Sequence, residues 1–110
     1  MKIYKTQAEI EADIVDGVLT VNEDVKFECS FSINASLKIE GDIDAWDIDA
    51  WDIDAGDIDA WDINAWNINA LDISFWAVCF AYNSFKCKSI AGRRDNAKYF
   101  CLDKEVEISK

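Results

Sequence analysis

The stretch GDIDA WDIDA WDIDA GDIDA WDINA WNINA LDISF, from Gly41 to Phe75, decides the fold. Seven five-residue units follow one another without an insertion, and isoleucine recurs at every fifth position from Ile43 to Ile73. A unit this short cannot bury its own apolar side and must stack on its neighbours, so the regularity predicts a solenoid. The same stretch holds ten aspartates and neither lysine nor arginine, which makes the surface of that solenoid acidic.

Strand alternation within a unit puts Ile48 and Ala50 on one face and Asp47 and Asp49 on the other, with tryptophan or glycine at the junctions. Longer spacing fixes the number of sides. At fifteen residues per turn Gly41, Gly56 and Leu71 form one column, Trp46, Trp61 and Trp76 a second, and Trp51, Trp66 and Ala81 a third. At twenty per turn glycines and tryptophans would mix. The predicted fold is therefore all-β: a short parallel β-helix, or β-solenoid, with three sides, about fifteen residues per turn, and all five tryptophans along two edges.

Outside the repeat, Thr6-Gln7-Ala8-Glu9 has the form of a capping box and predicts a short helix from about Gln7 to Asp13. A solenoid needs a cover over its open coil, and this helix is assigned as the N-terminal cap. The apolar residues then take period two through Val25, Phe27, Cys29, Phe31, Ile33, Ala35, Leu37 and Ile39, which reads as a strand bent near Asn34 to Ser36. After Phe75, Val78 is expected to keep the isoleucine column, and Phe75, Phe80 and Phe85 to fill the alanine column. The tail, with turn signals at Ala91-Gly92 and strand-like YFCL and VEI, is expected to fold back as a small β cap. The whole chain reads as one domain: 1–16 an N-terminal cap, 17–40 irregular first coils, 41–80 pentad coils and 81–110 a C-terminal cap.

The 110 residues carry a net charge of −11, distributed unevenly. Residues 1–40 have four basic and eight acidic groups, whereas 86–110 have seven basic and four acidic. A field of this sign repels nucleic acid and anionic lipid and attracts basic partners, so direct DNA or RNA binding is disfavoured. The start, MKIYKTQAEIEAD, lacks the profile of a secretion signal, and no window is long enough to span a membrane, which sets a cytoplasmic expectation. Cys29, Cys79, Cys87 and Cys101 form no C-x-x-C pair and histidine is absent, so no metal site or cofactor is expected and the thiols read as buried. Without histidine, a phosphate loop or a recognisable acid–base pair, the chain does not read as an enzyme. The cluster Lys86, Lys88, Arg93, Arg94 and Lys98 is read as offsetting the acidic body or contacting a second copy.

The Asp/Asn-Ile step recurring every five residues between Asp42 and Ile73 resembles the pentapeptide-repeat proteins, right-handed β-helices of which some mimic double-stranded DNA. That family has a small residue two positions before the central one. Here that position is Trp or Gly and alanine follows, so four sides are not implied. Ile39-Glu40-Gly41-Asp42-Ile43-Asp44-Ala45 is similar to the coils of bactofilins, three-sided β-helices that polymerise end to end. A small acidic repeat with an AVCFAYNSFKCKSI tail also resembles phage or mobile-element proteins that block host nucleic-acid machinery, anti-CRISPR proteins among them.

Stacking about 4.8 Å apart repeats Asp47 and Asp49 on each turn, so one face shows roughly one charge per 2.4 Å, near the one per about 1.7 Å of duplex DNA. The expected function is thus an acidic DNA mimic that inhibits a basic nucleic-acid-binding protein, such as a CRISPR effector or another host defence or DNA enzyme, by competing with DNA. The expected partner-binding acidic face is Asp42, Asp44, Asp47, Asp49, Asp52, Asp54, Asp57, Asp59 and Asp62, with Trp46, Trp51, Trp61, Trp66 and Trp76 as aromatic anchors. The alternative is a self-assembling β-helix, a bactofilin-like polymer or a homodimer, with no inhibitory role.

Overall fold

A computed structural model describes residues 1–109. Lys110, at the end of the expected cap, lies outside the described residues. In chain order the elements are β1 (Lys2–Tyr4), α1 (Gln7–Ala12), β2 (Val18–Val21), β3 (Val25–Phe27), β4 (Phe31–Ser32), β5 (Ser36–Ile39), β6 (Ile43–Asp44) and β7 (Ile48–Asp49). They continue as β8 (Asp52–Asp54), β9 (Ile58–Asp59), β10 (Ile63–Asn69), β11 (Asp72–Phe75), β12 (Val78–Cys87), β13 (Ser89–Gly92), β14 (Lys98–Cys101) and β15 (Glu107–Ile108). Every strand-to-strand ladder among them is parallel, and the chain is a β-solenoid.

The coil has three sides. One stacks β1, β3, β6, β9, β11 and β13. The second runs through β4, β7, the first half of β10, the first half of β12, and β14. The third runs through β2, β5, β8, the second half of β10, the second half of β12, and β15. In the repeat each residue stands beside the one fifteen places on, as in Ile43 beside Ile58, Ile48 beside Ile63 and Ile53 beside Ile68. The first coils are longer: Val25 stands beside Ile43 and Val18 beside Ser36. The odd-numbered series from Val25 to Ile39 is three strands rather than one bent strand, because the chain turns a corner at Glu28–Ser30 as well as at Asn34–Ala35.

Isoleucine and alanine fill the interior as the alternation requires. Ile43, Ile48, Ile53, Ile58, Ile63, Ile68 and Ile73 are all buried, and no polar or charged residue is buried among the described residues. The glycine column is present, with Gly56 N–H donating to Gly41 O at 2.9 Å and Leu71 N–H to Gly56 O at 3.0 Å.

After Phe75 the register slips by one residue and corrects the expectation for the last coils. Cys79 stands beside Ile63, so it and not Val78 continues the isoleucine column, and Val78 faces outward. Phe75 does fill the alanine column, whereas Phe85 stacks beneath Ile68 and Phe80 turns to the outside. A second slip after Ala65, which pairs with Ala81, puts Tyr82 and not Ala81 at the tryptophan corner, where Trp66, Asn67, Tyr82 and Asn83 line one depression. The extra residues are invisible in a column count because each inserts at a corner, where the chain is not held by the two-residue period of a strand. The tail does not fold back: β13, β14 and β15 run parallel to their neighbours and form one more, looser coil, and this coil is the C-terminal cap.

At the other end α1 covers the core, with Ile10 at 0 % exposure. Thr6 accepts from Glu9 N–H at 3.2 Å, and the Glu9 carboxylate reaches back one residue further than expected, to Lys5 N–H at 3.2 Å. Gln7 Oε1 accepts from Ser32 N–H at 3.3 Å, which meets an amide on the open edge of β4. Asp16 and Gly17, both with positive φ, form the two-residue turn that reverses the chain from Val15 to Val18.

All four cysteines are free; Cys79 and Cys87 are buried, Cys29 and Cys101 half-buried. Burial, with Cys87 nearby as a lesser cause, holds the Cys79 thiol far above its ordinary range. A thiol raised in the folded chain contributes stability that is whole below the unfolded value of about 8.5 and is lost as pH rises from there through the folded value. Cys79 alone should therefore cost about 2 kcal/mol by pH 10, and the buried Tyr4 phenol, also raised, adds to the loss above about pH 10. Thermal melts between pH 7.5 and 10.5 test this; a midpoint that does not fall would refute it.

Candidate functional site

The three outward faces differ, because consecutive pentads take consecutive sides. The side of β3, β6, β9 and β11 is the acidic face: Asp24, Asp42, Asp57 and Asp72 climb one corner, and Asp44 and Asp59 stand side by side at mid-strand. These six carboxylates line one shallow groove. The second side carries Asp47, Asp49 and Asp62. The third carries Asp52 and Asp54, and its outward mid-strand column also holds Lys38, Asn69 and Lys86. The nine aspartates read from the sequence thus ring the rod instead of forming one ladder.

The two aspartates of each pentad do different work. The first sits at the corner and turns its carboxylate toward the next coil. Asp42 Oδ1 accepts from Asp57 N–H at 2.8 Å, Asp57 Oδ1 from Asp72 N–H at 3.0 Å and Asp47 Oδ1 from Asp62 N–H at 3.2 Å. Asp62 Oδ1 accepts from both Ala77 N–H at 3.2 Å and Val78 N–H at 3.1 Å. On the third side Asp52 accepts from the Asn67 carboxamide at 2.7 Å. Corner aspartates are therefore rungs that tie coil to coil; Asp42, Asp47, Asp57 and Asp62 meet backbone amides that the strand ladder leaves over, and Asp52 meets a side chain.

The bond tightens at the glycine corner for a steric reason. A Cβ at Gly56 would lie 2.6 Å from Asp42 Oδ1, and one at Gly41 2.3 Å from Asp24 Oδ1 and 2.6 Å from Asp24 N. Absence of that carbon lets the carboxylate sit over the following amide.

The second aspartate, at Asp44, Asp49, Asp54 and Asp59, points to solvent. Asp49 accepts from Ser32 Oγ at 3.2 Å, and Asp59 is paired with Arg93, whose other guanidinium nitrogen donates to Ala60 O at 2.8 Å. Asp59 is the only repeat aspartate with a cation in ion-pair range among the described residues. Arg93 thus does offset the acidic body, while Lys86 pairs with Glu107 at 3.7 Å.

The tryptophans stand along two edges. Trp46 and Trp61 stack with centroids 5.4 Å apart and planes 5° from parallel, and Trp51 and Trp66 at 5.1 Å and 10°. Trp76 continues the first edge through its N–H to Trp61 O at 2.6 Å. Stacking occupies the ring faces, so what these columns offer a partner is their rims.

Both edges bound the same side, the second, which becomes the tryptophan-bracketed face. Its outward column changes from polar to aromatic along the rod, from Ser32, Asp49 and Asn64 to Phe80 and Phe100. Phe80 contacts Phe100 at 4.6 Å and Tyr82 at 4.5 Å between centroids. The sequence reading missed Val78, Phe80 and Phe100 as surface residues, because only the slip after Phe75 turns them outward.

Among the described residues no group of three or more Cys, Asp or Glu side chains is arranged to hold a metal ion, and no helix is long and apolar enough to cross a membrane. No protein-family model, curated protein or solved structure matches the chain. The coil itself is a parallel β-solenoid, compatible with the β-helix that the pentapeptide-repeat resemblance implies.

Proposed function

We propose that the chain is an acidic DNA mimic that inhibits a basic nucleic-acid-binding protein by occupying the groove that holds DNA. One observation carries this reading: the two coils from Gly41 to Ala70 bear nine aspartates, eight exposed and Asp62 half-buried, with Arg93 as the sole cation paired to them among the described residues. Two coils rise about 9.6 Å, so the rod carries roughly one carboxylate per 1.1 Å of axis, denser than the one phosphate per about 1.7 Å of duplex. The corner bonds hold these charges on a rigid frame, so pairing with lysine and arginine orders few side chains on the mimic. Such a field also steers a basic partner from a distance.

Corner aspartates are explained by the inter-coil bonds alone. Asp44 and Asp54 make no hydrogen bond among the described residues, and the fold does not require an acid there. These outward positions are the ones that serve a partner. The targets are DNA enzymes with a basic groove, CRISPR effectors and other host-defence proteins among them, which would place the action in the host cytoplasm.

The test is a mobility-shift competition against a panel of such enzymes. Inhibition should weaken by roughly a thousandfold between about 50 and 200 mM salt if six pairs form. Combined Asp44→Lys, Asp49→Lys and Asp54→Lys should abolish inhibition while leaving the fold intact. Inhibition that survives the reversal, or none across the panel, would overturn the reading. A head-to-tail polymer receives no support from the N-terminal end, where α1 covers the coil that the next copy would extend.

A further inference from the structure

The tryptophan-bracketed face carries a charge pattern that the mimicry reading does not use. Along its corner column Asp62, Val78 and Lys98 follow one another, one coil apart: Asp62 Oδ1 accepts from Val78 N–H at 3.1 Å, and Val78 stands beside Lys98. Acid and base are therefore equidistant from Val78, about 4.8 Å along the rod on either side. Parallel to this column lie Asn64, Phe80 and Phe100. Val78 is 40 % exposed and Phe100 44 %, and the bracketing residues Trp76, Tyr82 and Leu102 are exposed as well. Apolar surface this contiguous marks an interaction site on a molecule otherwise covered with charge.

We propose that the chain forms a closed two-fold dimer by laying this face antiparallel on the same face of a second copy. A two-fold axis through the Val78–Phe80 row, along the strand direction, maps the face onto itself with the rod reversed. Val78 and Phe80 then meet their own counterparts, and Asp62 of each copy meets Lys98 of the other. The polar Asp47–Asp49 row is carried past the end of the partner's last coil, so like charges do not oppose one another.

Charge decides for a second copy over a parallel alignment or a different edge. Parallel rods would set Asp62 level with Asp62 and Lys98 level with Lys98, at opposite corners, and leave neither with an opposite charge to meet. A contact through the glycine–leucine edge would bring the acidic faces, with six carboxylates each, against one another. The overlapping rows of Asp62, Val78 and Lys98 are five residues wide and three coils tall, roughly 240 Å² a side before the flanking corners. That is below the standard interface, so the dimer is a weak, transient one with dissociation expected in the high micromolar range. The acidic face stays open on each copy. The dimer does not depend on the mimicry reading, since it forms without any partner.

Sedimentation velocity from low micromolar to submillimolar concentration, with small-angle scattering at the upper end, tests the proposal. The expected species is a dimer whose maximum dimension exceeds the 34 Å of one chain but falls short of twice that length. Val78→Asp, which sets two carboxylates face to face at the axis, should abolish it. Lys98→Glu, an exposed change that leaves the core untouched, should weaken it at least tenfold. Leu71→Asp, exposed on the opposite edge, should leave it unchanged. Circular dichroism establishes that each variant is folded. A monomer throughout, an end-to-end dimer of doubled length, or dimerisation indifferent to Lys98→Glu would each overturn it.

Discussion

Truncating Phe75 to alanine is expected to lower the unfolding free energy by about 3–5 kcal/mol, the largest effect of any single substitution in the repeat. Phe75 is fully buried and stands in the column that Ala60 and Ala45 occupy one and two coils earlier. Those alanines are small because the isoleucine columns of three converging sides already fill the coil. At Phe75 the coil loosens, Gly92 stacks beside it, and the ring takes the vacated space, with Tyr99 edge-on at 6.3 Å. A Cβ at Gly92 would meet the Phe75 ring at 3.1 Å, so nothing in the last coil can collapse into a hole left there without moving backbone. Since a domain of this size has about 5–15 kcal/mol in total, urea denaturation should show a large fall in midpoint with little change in slope. A loss below about 1 kcal/mol would mean that the last coil does not close the core as described.

Replacing corner and outward aspartates should give opposite results, although the two are chemically identical and two residues apart. Asp62→Ala removes the acceptor of two amides, Ala77 and Val78, and should cost about 1–3 kcal/mol. Asp62→Asn retains an acceptor oxygen and should recover most of that loss. Asn67 already stands at such a corner, where its Oδ1 accepts from Asn83 Nδ2 at 3.0 Å and from Ser84 Oγ at 2.8 Å. Asp44→Ala should stay within about 0.5 kcal/mol, since Asp44 stands between Lys26 on one side and Asp59 on the other and loses as much repulsion as attraction. Combining Asp42→Ala, Asp57→Ala and Asp62→Ala should cost about 2–6 kcal/mol, a large share of the total, with coupling between the stacked first two. Equal effects from the two classes would refute the division.

The division bears on function because it separates charge that the fold needs from charge that it does not. A pentad with only corner aspartates would stack as well. The outward set is where charge can be changed without unfolding, which is what makes the competition experiment interpretable.

Much of this was legible before any coordinates. The fifteen-residue columns of glycine and tryptophan are present as expected, as are the Ile and Ala interior and the helix opening at Thr6. Each rests on strict periodicity or on a local hydrogen-bond motif, and both are encoded within a few residues. The difference between Asp42 and Asp44 was not legible, because strand alternation puts both outside. Only the corner geometry turns one carboxylate onto the next coil.

The five-residue period, then, determined by itself that this chain is a three-sided parallel coil with an acidic exterior. A unit that cannot bury itself has no other stable arrangement, and fifteen is the spacing that sorts its glycines from its tryptophans. Tertiary structure decided which face each charge and ring occupies. One-residue slips at the corners after Ala65 and Phe75 are too small to disturb the composition of the coil. Yet the slip after Phe75 turns Cys79 inward and Val78 and Phe80 to the surface between two rows of tryptophan. The second, after Ala81, reverses the alternation again and returns Phe85 and Cys87 to the core.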